Sequence, residues 1–222
     1  MSIWDWSYVW EAMPYLYHGA IVTVQATLLG FAIALVLGLV FALIRQSPNR
    51  YVSRSMAEIV EFIRSTPLLL QVFFVYFVGP QFGVVIPAWI CGIGALGLHY
   101  AAYCSEVYRA GILAVDEGQW EACTALNLSR RRTWSAIILP QAIPPVVPAL
   151  GNYFIGMFKS TPILAAIAIL EMLQQAKIFG GNNYRYIEAI TMAGFFYLVF
   201  TLVASAIVQS VSVWLNRRYH LE

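Results

Sequence analysis

The sequence predicts an all-α integral membrane protein, on the basis of its composition, its long uncharged stretches and the positions of its arginines. Of the 222 residues, 60% are hydrophobic and only 11% are charged, whereas about 25% of the residues of an ordinary soluble domain are charged. Strand-like alternation is absent, and the apolar runs are far longer than the roughly 10-residue strands of an outer-membrane barrel. The membrane-spanning segments are therefore predicted to be helices.

Four long stretches contain no Asp, Glu, Lys or Arg, namely 19–44, 65–105, 133–158 and 189–216. Each is long enough to cross a membrane, because a spanning helix needs roughly 20 apolar residues. The second stretch is too long for one crossing and contains Gly79-Pro80, a pair that favours a turn. We therefore divide it in two and predict five transmembrane helices, at about 18–44, 56–79, 86–110, 136–158 and 188–215.

The basic residues indicate an orientation with the N-terminus outside and the C-terminus, including a tail at 218–222, in the cytoplasm. Only Lys177 and Arg185 then fall in an outer loop. Short basic loops resist translocation, so cations concentrate on the cytoplasmic side, here as Arg45, Arg50, Arg54, Arg109, Arg130, Arg131, Arg132, Arg217 and Arg218. The first 16 residues contain no Lys or Arg, unlike a cleavable signal peptide, and their aromatic residues predict an outer, periplasmic anchor segment.

The longest predicted cytoplasmic loop, 117–140, contains a short helix. Residues 119–126 are rich in helix formers, and Ala122 and Ala125 recur at a spacing that gives the helix one face of small residues. Asn127 is predicted to end the helix, because asparagine tolerates the left-handed conformation just past a helix terminus. A short surface helix with a small-residue face fits a groove on a partner protein; the alternative is an amphipathic loop at the membrane surface with no partner.

Within this loop, Glu121-Ala122-Cys123, the later Asn127 and Ile138-Leu139-Pro140 resemble the Glu-Ala-Ala loop of type I permeases of ATP-binding-cassette (ABC) importers. In that family the loop is the coupling helix, which seats on a separate ATPase. Cys123 stands in place of the usual second Ala and Asn127 in place of the usual Gly. The resemblance implies that the ATPase docks on Gln119, Glu121, Ala122, Cys123, Ala125, Leu126, Asn127, Leu128, Leu139 and Pro140.

A wider resemblance covers residues 17–217, the predicted permease domain. The segments 63–71, 103–111 and 139–142 resemble the polar-amino-acid (His/Gln/Arg-type) branch, and 125–130, 141–145 and 148–153 resemble most the permeases for ectoine and hydroxyectoine, which are compatible solutes. The family implies a bacterial inner-membrane location and three kinds of partner. These are a second permease subunit, identical or related, a pair of ATPase subunits that bind ATP and Mg, and an extracytoplasmic solute-binding protein.

The chain itself is not predicted to be an enzyme. It has no Gly-rich loop of the kind that cradles nucleotide phosphates, and its three cysteines show no metal-ligand spacing. ATP and Mg are therefore expected on the partner ATPase, with no cofactor or metal on this chain. The alternative is a secondary transporter or channel subunit driven by an ion gradient, but such folds commonly contain internal repeats, and none is found between the two halves of this sequence.

Ionisable groups at membrane depth cost about 2.5–3.5 kcal/mol to insert and are therefore candidates for function. Two of them, Arg64 and Lys159, stand close before Thr-Pro pairs, and proline interrupts a helix. An interrupted helix is tolerated in lipid only where it is buried in protein or lines a watery cavity. A zwitterionic substrate needs a cation and an acceptor, so the candidates for the substrate pathway or gate are Arg64, Asn152, Lys159, Thr161 and Glu171. The alternative for Lys159 and Glu171 is a buried structural pair or a contact in an outer loop.

Overall fold

A computed structural model describes residues 4–219, and it confirms the predicted all-α fold over that range. The helices are α1 (Trp6–Arg45), α2 (Arg50–Ser65), α3 (Leu68–Phe73), α4 (Ala88–Leu113), α5 (Glu117–Ala125), α6 (Arg130–Arg132), α7 (Leu139–Ser160), α8 (Met172–Asn183) and α9 (Tyr186–Tyr219). Wider π-helical turns form at Phe74–Val78 and Thr133–Ile138, and tighter 3₁₀ turns at Gly79–Phe82 and Thr161–Ile167. Most of the predicted tail at 218–222 lies outside the described residues.

Fewer helices than the predicted five are long and apolar enough to span a membrane. In residues 4–219 these are α1, the helix through Arg130–Ile167, and Tyr186–Leu215. A fourth span exists only if α2 and Leu68–Phe82 count as one, although they meet at 102°. The span predicted at 56–79 is therefore not one continuous helix, but α2 and a second helical segment that are separated by the bend at Pro67. Proline at position 67 cannot continue the helical hydrogen-bond pattern, and it disfavours the helical conformation in the residue before it.

The third predicted span, 86–110, is the helix α4, which at 26 residues is long enough to cross a membrane but is not apolar enough to be among the candidate spans. This helix packs against α1, α2, α3 and α7, and many of its side chains are buried within the chain, including Leu96, Ala101 and Cys104. A helix surrounded by protein meets little lipid, so it tolerates a lower apolar content than an outer helix.

The first helix begins at Trp6, well before the predicted start near residue 18. Asp5 caps it, because its Oδ1 accepts a hydrogen bond of 2.9 Å from the Ser7 backbone N–H, a typical N-cap contact. The same hydrogen bond lowers the pKa of Asp5 below its ordinary value. The aromatic residues Trp6 and Trp10 of the predicted 1–16 anchor segment thus stand exposed on the first turns of α1.

The fourth predicted span also begins earlier than expected. The chain stays helical from Arg130 through the π turn at Thr133–Ile138 into α7. Pro140 has no N–H to donate to the carbonyl of Ala136, four residues before it. A local π turn is one way in which a helix accommodates such a gap.

Helices α1 and α4 approach each other closely at glycines, as membrane helices often do. A Cβ atom on Gly97 of α4 would lie 2.5 Å from Ile33 Cγ2 of α1. A Cβ atom on Gly38 of α1 would lie 2.7 Å from Cys104 Cβ of α4. The absence of side chains at these two positions sets the distance between the two central helices.

We expect Gly97→Ala to destabilise the fold, because the added methyl group would overlap Ile33. Overpacking of this kind costs about 1–3 kcal/mol, and a lower midpoint of thermal unfolding of the detergent-solubilised chain would show it. The matched control is Gly94→Ala in the same helix, where nothing lies within 4 Å of the added Cβ. Equal midpoints for the two variants would contradict the predicted close packing.

Candidate functional site

The predicted loop helix is α5, and its two sides differ sharply. On the inner side, Cys123 is only 5% exposed, and the Trp120 ring packs edge-on against Trp134 at 5.4 Å between centroids. On the outer side, Leu126 is 71% exposed, and the neighbouring predicted docking residues Gln119, Glu121, Ala122, Ala125 and Asn127 are exposed with it. Cys123 therefore holds α5 against the rest of the chain rather than facing a partner.

The end of α5 is fixed by the turn that the sequence predicts. Asn127 has a φ of 51°, in the left-handed region. Its N–H donates to the Thr124 carbonyl, and the N–H of Leu128 donates to the Cys123 carbonyl, both at 3.0 Å. This pair of hydrogen bonds defines a Schellman motif, which satisfies carbonyls left open at a helix end. The predicted role of Asn127 as the turn residue is confirmed.

Helix α5 is connected to two long helices, α4 and α7. It follows α4 after a short connection, and on its other side Gln141 Nε2 of α7 donates to Gln119 Oε1 at 3.3 Å. The remaining predicted docking residues, Leu139 and Pro140, lie on α7 rather than on α5. Helix α5 is thus connected to α4 through the chain and to α7 through a side-chain hydrogen bond.

A single carboxylate, that of Glu106, forms ion pairs with three arginines near the end of α4 that leads to α5. Its oxygens lie 2.5 Å from Arg45 Nη1 of α1, 3.5 Å from Arg64 Nη1 of α2 and 2.9 Å from Arg109 Nη2 of α4 itself. Arg64 also pairs with Glu61 at 3.3 Å. Three helices are therefore held together at one ionic junction, which we call the Glu106 junction.

One four-residue motif occurs at both places where a membrane helix breaks, although no longer repeat was found between the two halves of the sequence. Residues 64–67 read Arg-Ser-Thr-Pro, and residues 159–162 read Lys-Ser-Thr-Pro. In both copies the threonine hydroxyl donates to the carbonyl three residues earlier. The distance is 3.2 Å from Thr66 to Ile63 and 2.8 Å from Thr161 to Phe158. These are the carbonyls that the two prolines, lacking an N–H, leave without a partner.

Both breaks meet α4 at neighbouring tyrosines. The Tyr103 hydroxyl donates to the Arg64 carbonyl at 3.3 Å, and the Tyr100 hydroxyl lies 2.8 Å from Ser160 Oγ. The Tyr153 ring of α7 packs against Tyr103 at 5.4 Å, and the Arg64 guanidinium lies over the Tyr103 ring at 5.3 Å. Reasoning from the sequence missed these three tyrosines, because their contacts with the two breaks join residues that are far apart in the chain.

The structure separates the five predicted pathway residues into two groups. Asn152 and Lys159 are exposed on α7, and Arg64 is partly exposed within the Glu106 junction. Thr161 and Glu171 are fully buried, and among residues 4–219 no ion pair joins Lys159 to Glu171. The alternative interpretation of these two residues as a buried structural pair is therefore wrong.

Glu171 instead caps α8. Its carboxylate accepts hydrogen bonds from the backbone N–H groups of Gln174 at 2.7 Å and Leu173 at 3.0 Å, and from the Tyr197 hydroxyl at 2.5 Å. A carboxylate with three donors stabilises the start of the helix and has little capacity left for a substrate. Tyr197 also lies 3.3 Å from Thr161 Oγ1, so the second break, α8 and α9 share this network.

The described residues thus form a bundle of long apolar helices that carries one short, exposed helix, α5, between α4 and α7. Residues 12–220 match the family described as the binding-protein-dependent transport system inner membrane component. The chain belongs to this family of multi-pass inner-membrane permeases. Transport that depends on a binding protein implies a solute-binding protein and an ATPase as partners.

Individual relatives indicate which type of transporter the permease belongs to. The chain is 50% identical to a probable amino-acid ABC transporter permease of Sinorhizobium fredii, over 93% of this chain and 89% of the relative. It is 33% identical to the glutamine transport system permease of Escherichia coli, over 92% and 94% of the two chains. A crystal structure titled as an amino acid ABC transporter with histidines superposes with a TM-score of 0.90 at 35% identity, over 96% and 99%. The chain is thus the permease of an amino-acid ABC importer with the type I fold, and it is not itself an ATPase.

Glu106→Gln is expected to loosen the junction between α1, α2 and α4, because three guanidinium groups lose their common counter-charge. We expect the free energy of unfolding to fall by about 2 kcal/mol, between the roughly 0.5 kcal/mol of an exposed ion pair and the 3–5 kcal/mol of a buried one. Denaturation of the detergent-solubilised chain measures this change. The control is Glu58→Gln, which removes an exposed pair with Arg54 at 3.8 Å, and equal effects of the two variants would refute the junction.

Proposed function

We propose that this chain forms half of the translocation pathway of an importer for polar amino acids or amino-acid derivatives, and that α5 transmits the motion of the ATPase. The observation that carries the proposal is the exposed outer side of α5, because the helix is held to the chain by buried Cys123 and packed Trp120 while its outer residues, and Leu126 at its end, are free to contact a partner. The partner ATPase would hold the ATP and the Mg.

The proposed docking surface consists of the outward residues of α5, with Glu121 near its centre. Glu121 and Ala125 line a shallow groove together with Glu117, Trp120 and Thr124. Small side chains allow close approach of the partner, and the exposed carboxylates offer acceptors for its donors. The inner side of this surface would be supported by Leu128, Leu139 and Pro140.

The proposed pathway lies where the two Thr-Pro breaks meet α4. Arg64 and Lys159 stand at equivalent positions of the repeated motif, so each break presents one cation. A carboxylate that passes the breaks would meet these cations, and the amide of Asn152 would add a neutral partner. Charged groups in a membrane are tolerated where they face a watery cavity, which favours this placement of the pathway.

The proposed substrates are polar, zwitterionic amino acids or derivatives of similar charge, including ectoine and hydroxyectoine. Support for the wider class comes from relatives named for glutamine, L-cystine and nopaline transport. Support for ectoine and hydroxyectoine is limited to the local resemblance of residues 125–130, 141–145 and 148–153.

Two such chains, identical or related, would enclose a complete pathway, with the N-terminus outside and the C-terminus in the cytoplasm. The single-chain bundle leaves long apolar faces open, among them Leu198, Leu202 and Ile207 of α9. The arginines of α6, next to α5, support a cytoplasmic location for this end of the bundle, because basic loops concentrate on the cytoplasmic side.

Reversal of the charge at Glu121 tests the docking surface. In vesicles that contain the full importer, Glu121→Lys should lower ATP-driven uptake about tenfold or more, which corresponds to about 1.4 kcal/mol of docking free energy. Less ATPase should also co-purify with the variant. The control is Glu58→Lys, an exposed reversal on α2, which should retain uptake; normal uptake by Glu121→Lys would overturn the docking assignment.

Neutralisation of Lys159 tests the pathway. With saturating binding protein, Lys159→Gln should lower the rate of substrate uptake about tenfold, as expected from the loss of one charge-assisted hydrogen bond. The affinity of the separate binding protein for substrate should not change. Lys177→Gln, which removes an exposed cation of α8, is the control, and equal uptake by both variants would exclude Lys159 from the pathway.

A further inference from the structure

The turn from α8 into α9, residues 181–186, contains a tyrosine in an unfavourable backbone conformation, and we call this turn the outer corner. Tyr184 has a φ of 53° and a ψ of 32°, in the left-handed region, and it is 91% exposed. This conformation is disfavoured for residues with a bulky side chain. The four preceding residues, 180–183, are Gly and Asn, which adopt it readily, yet all four are helical. Local structure alone therefore does not explain a tyrosine at this position.

The outer corner is fixed against the start of α1. The Arg185 guanidinium pairs with the Glu188 carboxylate and lies over the Tyr8 ring at 4.8 Å. The Glu188 side chain is only 1% exposed, and its Oε1 accepts a hydrogen bond of 3.1 Å from the Asp5 backbone N–H. The backbone that carries Tyr184 is thus held in place on both sides, while the ring itself remains in solvent.

The length of α1 places the outer corner at the water side of the lipid headgroups. The 40 residues of α1 extend about 60 Å at 1.5 Å per residue. Even a tilt of about 40°, the upper end of the usual range, leaves about 46 Å across the membrane, whereas a bilayer with its headgroups is about 40–45 Å thick. Apolar side chains stay exposed as far as Leu43, so lipid reaches the Arg45 end of α1. The excess length therefore stands at the end where Asp5 meets the outer corner.

The outer corner and α5 lie at opposite ends of the bundle. Helix α1 runs from the corner to the Glu106 junction, which is near the end of α4 that leads to α5. In the proposed function α5 is cytoplasmic, and on that basis the corner faces the extracytoplasmic side. This is the side from which a solute-binding protein approaches the permease.

We propose that the outer corner is a contact surface for the solute-binding protein and that the Tyr184 ring anchors this contact. The family to which the chain belongs depends on such a protein. Tyrosine is enriched among the residues that dominate binding at protein interfaces, and a backbone that is fixed beforehand loses less entropy on binding. The neighbouring Gly181 and Asn182 are exposed, so they allow close approach and offer hydrogen bonds in a contact that must form and break repeatedly.

Two other occupants fit the outer corner less well. A lipid headgroup would have to reach Tyr184 on the water side, and the cation of the corner, Arg185, is already engaged by Glu188 and Tyr8. A second copy of this chain would meet a surface of glycine, asparagine and one ring. Lasting contacts between subunits are more hydrophobic, and the apolar faces of α9 suit them better.

Titration with the binding protein tests the role of Tyr184. The full importer is reconstituted in vesicles, and uptake is measured against the concentration of its substrate-loaded binding protein. Tyr184→Ala should raise the half-saturating concentration about tenfold, which corresponds to about 1.4 kcal/mol, whereas Tyr184→Phe keeps the ring and should stay close to the wild-type value. The control Tyr51→Ala removes an 84% exposed tyrosine near the Arg45 end and should have no effect. An unchanged value in Tyr184→Ala would overturn the proposal.

Tyr184→Gly separates binding from folding. Glycine adopts the left-handed conformation without strain, so this variant should unfold at a temperature no lower than that of the wild type. It should nevertheless need as much binding protein as Tyr184→Ala, because it also lacks the ring. A half-saturating concentration equal to that of the wild type would contradict the proposed contact.

Crosslinking identifies the occupant of the outer corner. The photoreactive residue p-benzoylphenylalanine in place of Tyr184 should crosslink to the substrate-loaded binding protein. Crosslinks found only to lipid or only to a second permease chain would refute the assignment. The test is independent of the docking of the ATPase, because Glu121→Lys should lower uptake at every concentration of the binding protein. If Glu121→Lys takes up substrate normally, the docking assignment fails, and the response of Tyr184→Ala to the binding protein still decides the role of the corner.

Discussion

The rest of the structure depends on how the chain satisfies backbone carbonyls that proline leaves open inside the membrane. An unpaired carbonyl in hydrocarbon costs several kcal/mol, so each break needs a local donor. At Pro67 the Ile63 carbonyl accepts from Gln71 Nε2 and Thr66 Oγ1. At Pro162 the Phe158 carbonyl accepts from Thr161 Oγ1. The chain can therefore turn by 102° after α2 and end α7 in a tight 3₁₀ segment without exposing polar backbone to lipid.

These two breaks determine where the remaining polar groups lie. Because Gln71 is held at the first break, its amide oxygen meets His99 of α4, and the same helix brings Tyr103 to Arg64 and Tyr100 to Ser160. Helix α4 thus becomes the inner helix of the bundle, and its polar face lines the region between the breaks. A polar stripe of this kind needs protein or water around it, which accounts for the lower apolar content of α4.

The features that follow from local chemistry could be predicted from the sequence. The extent of α5 and its end at Asn127 depend on residues within one or two turns, and long uncharged runs identify α1, α7 and α9. Features that depend on distant residues could not be predicted. The Glu61–Arg64 spacing indicates a pair along one helix, but the sequence does not show that Arg64 also reaches Glu106, or that Glu171 would cap α8 rather than pair with Lys159.

The Glu106 junction lies between the proposed docking helix and the first break, on the connection that the proposed coupling would use. Helix α4 leads to α5 after only a short connection, and it also carries Tyr103, which is hydrogen-bonded to the first break. The α4 end also carries Glu106, which contacts both Arg45 and Arg64. Gln141 links α5 to α7, whose far end carries the second break. Helix α5 is thus connected to both breaks through separate helices, and these are the two routes that the proposed coupled motion would take.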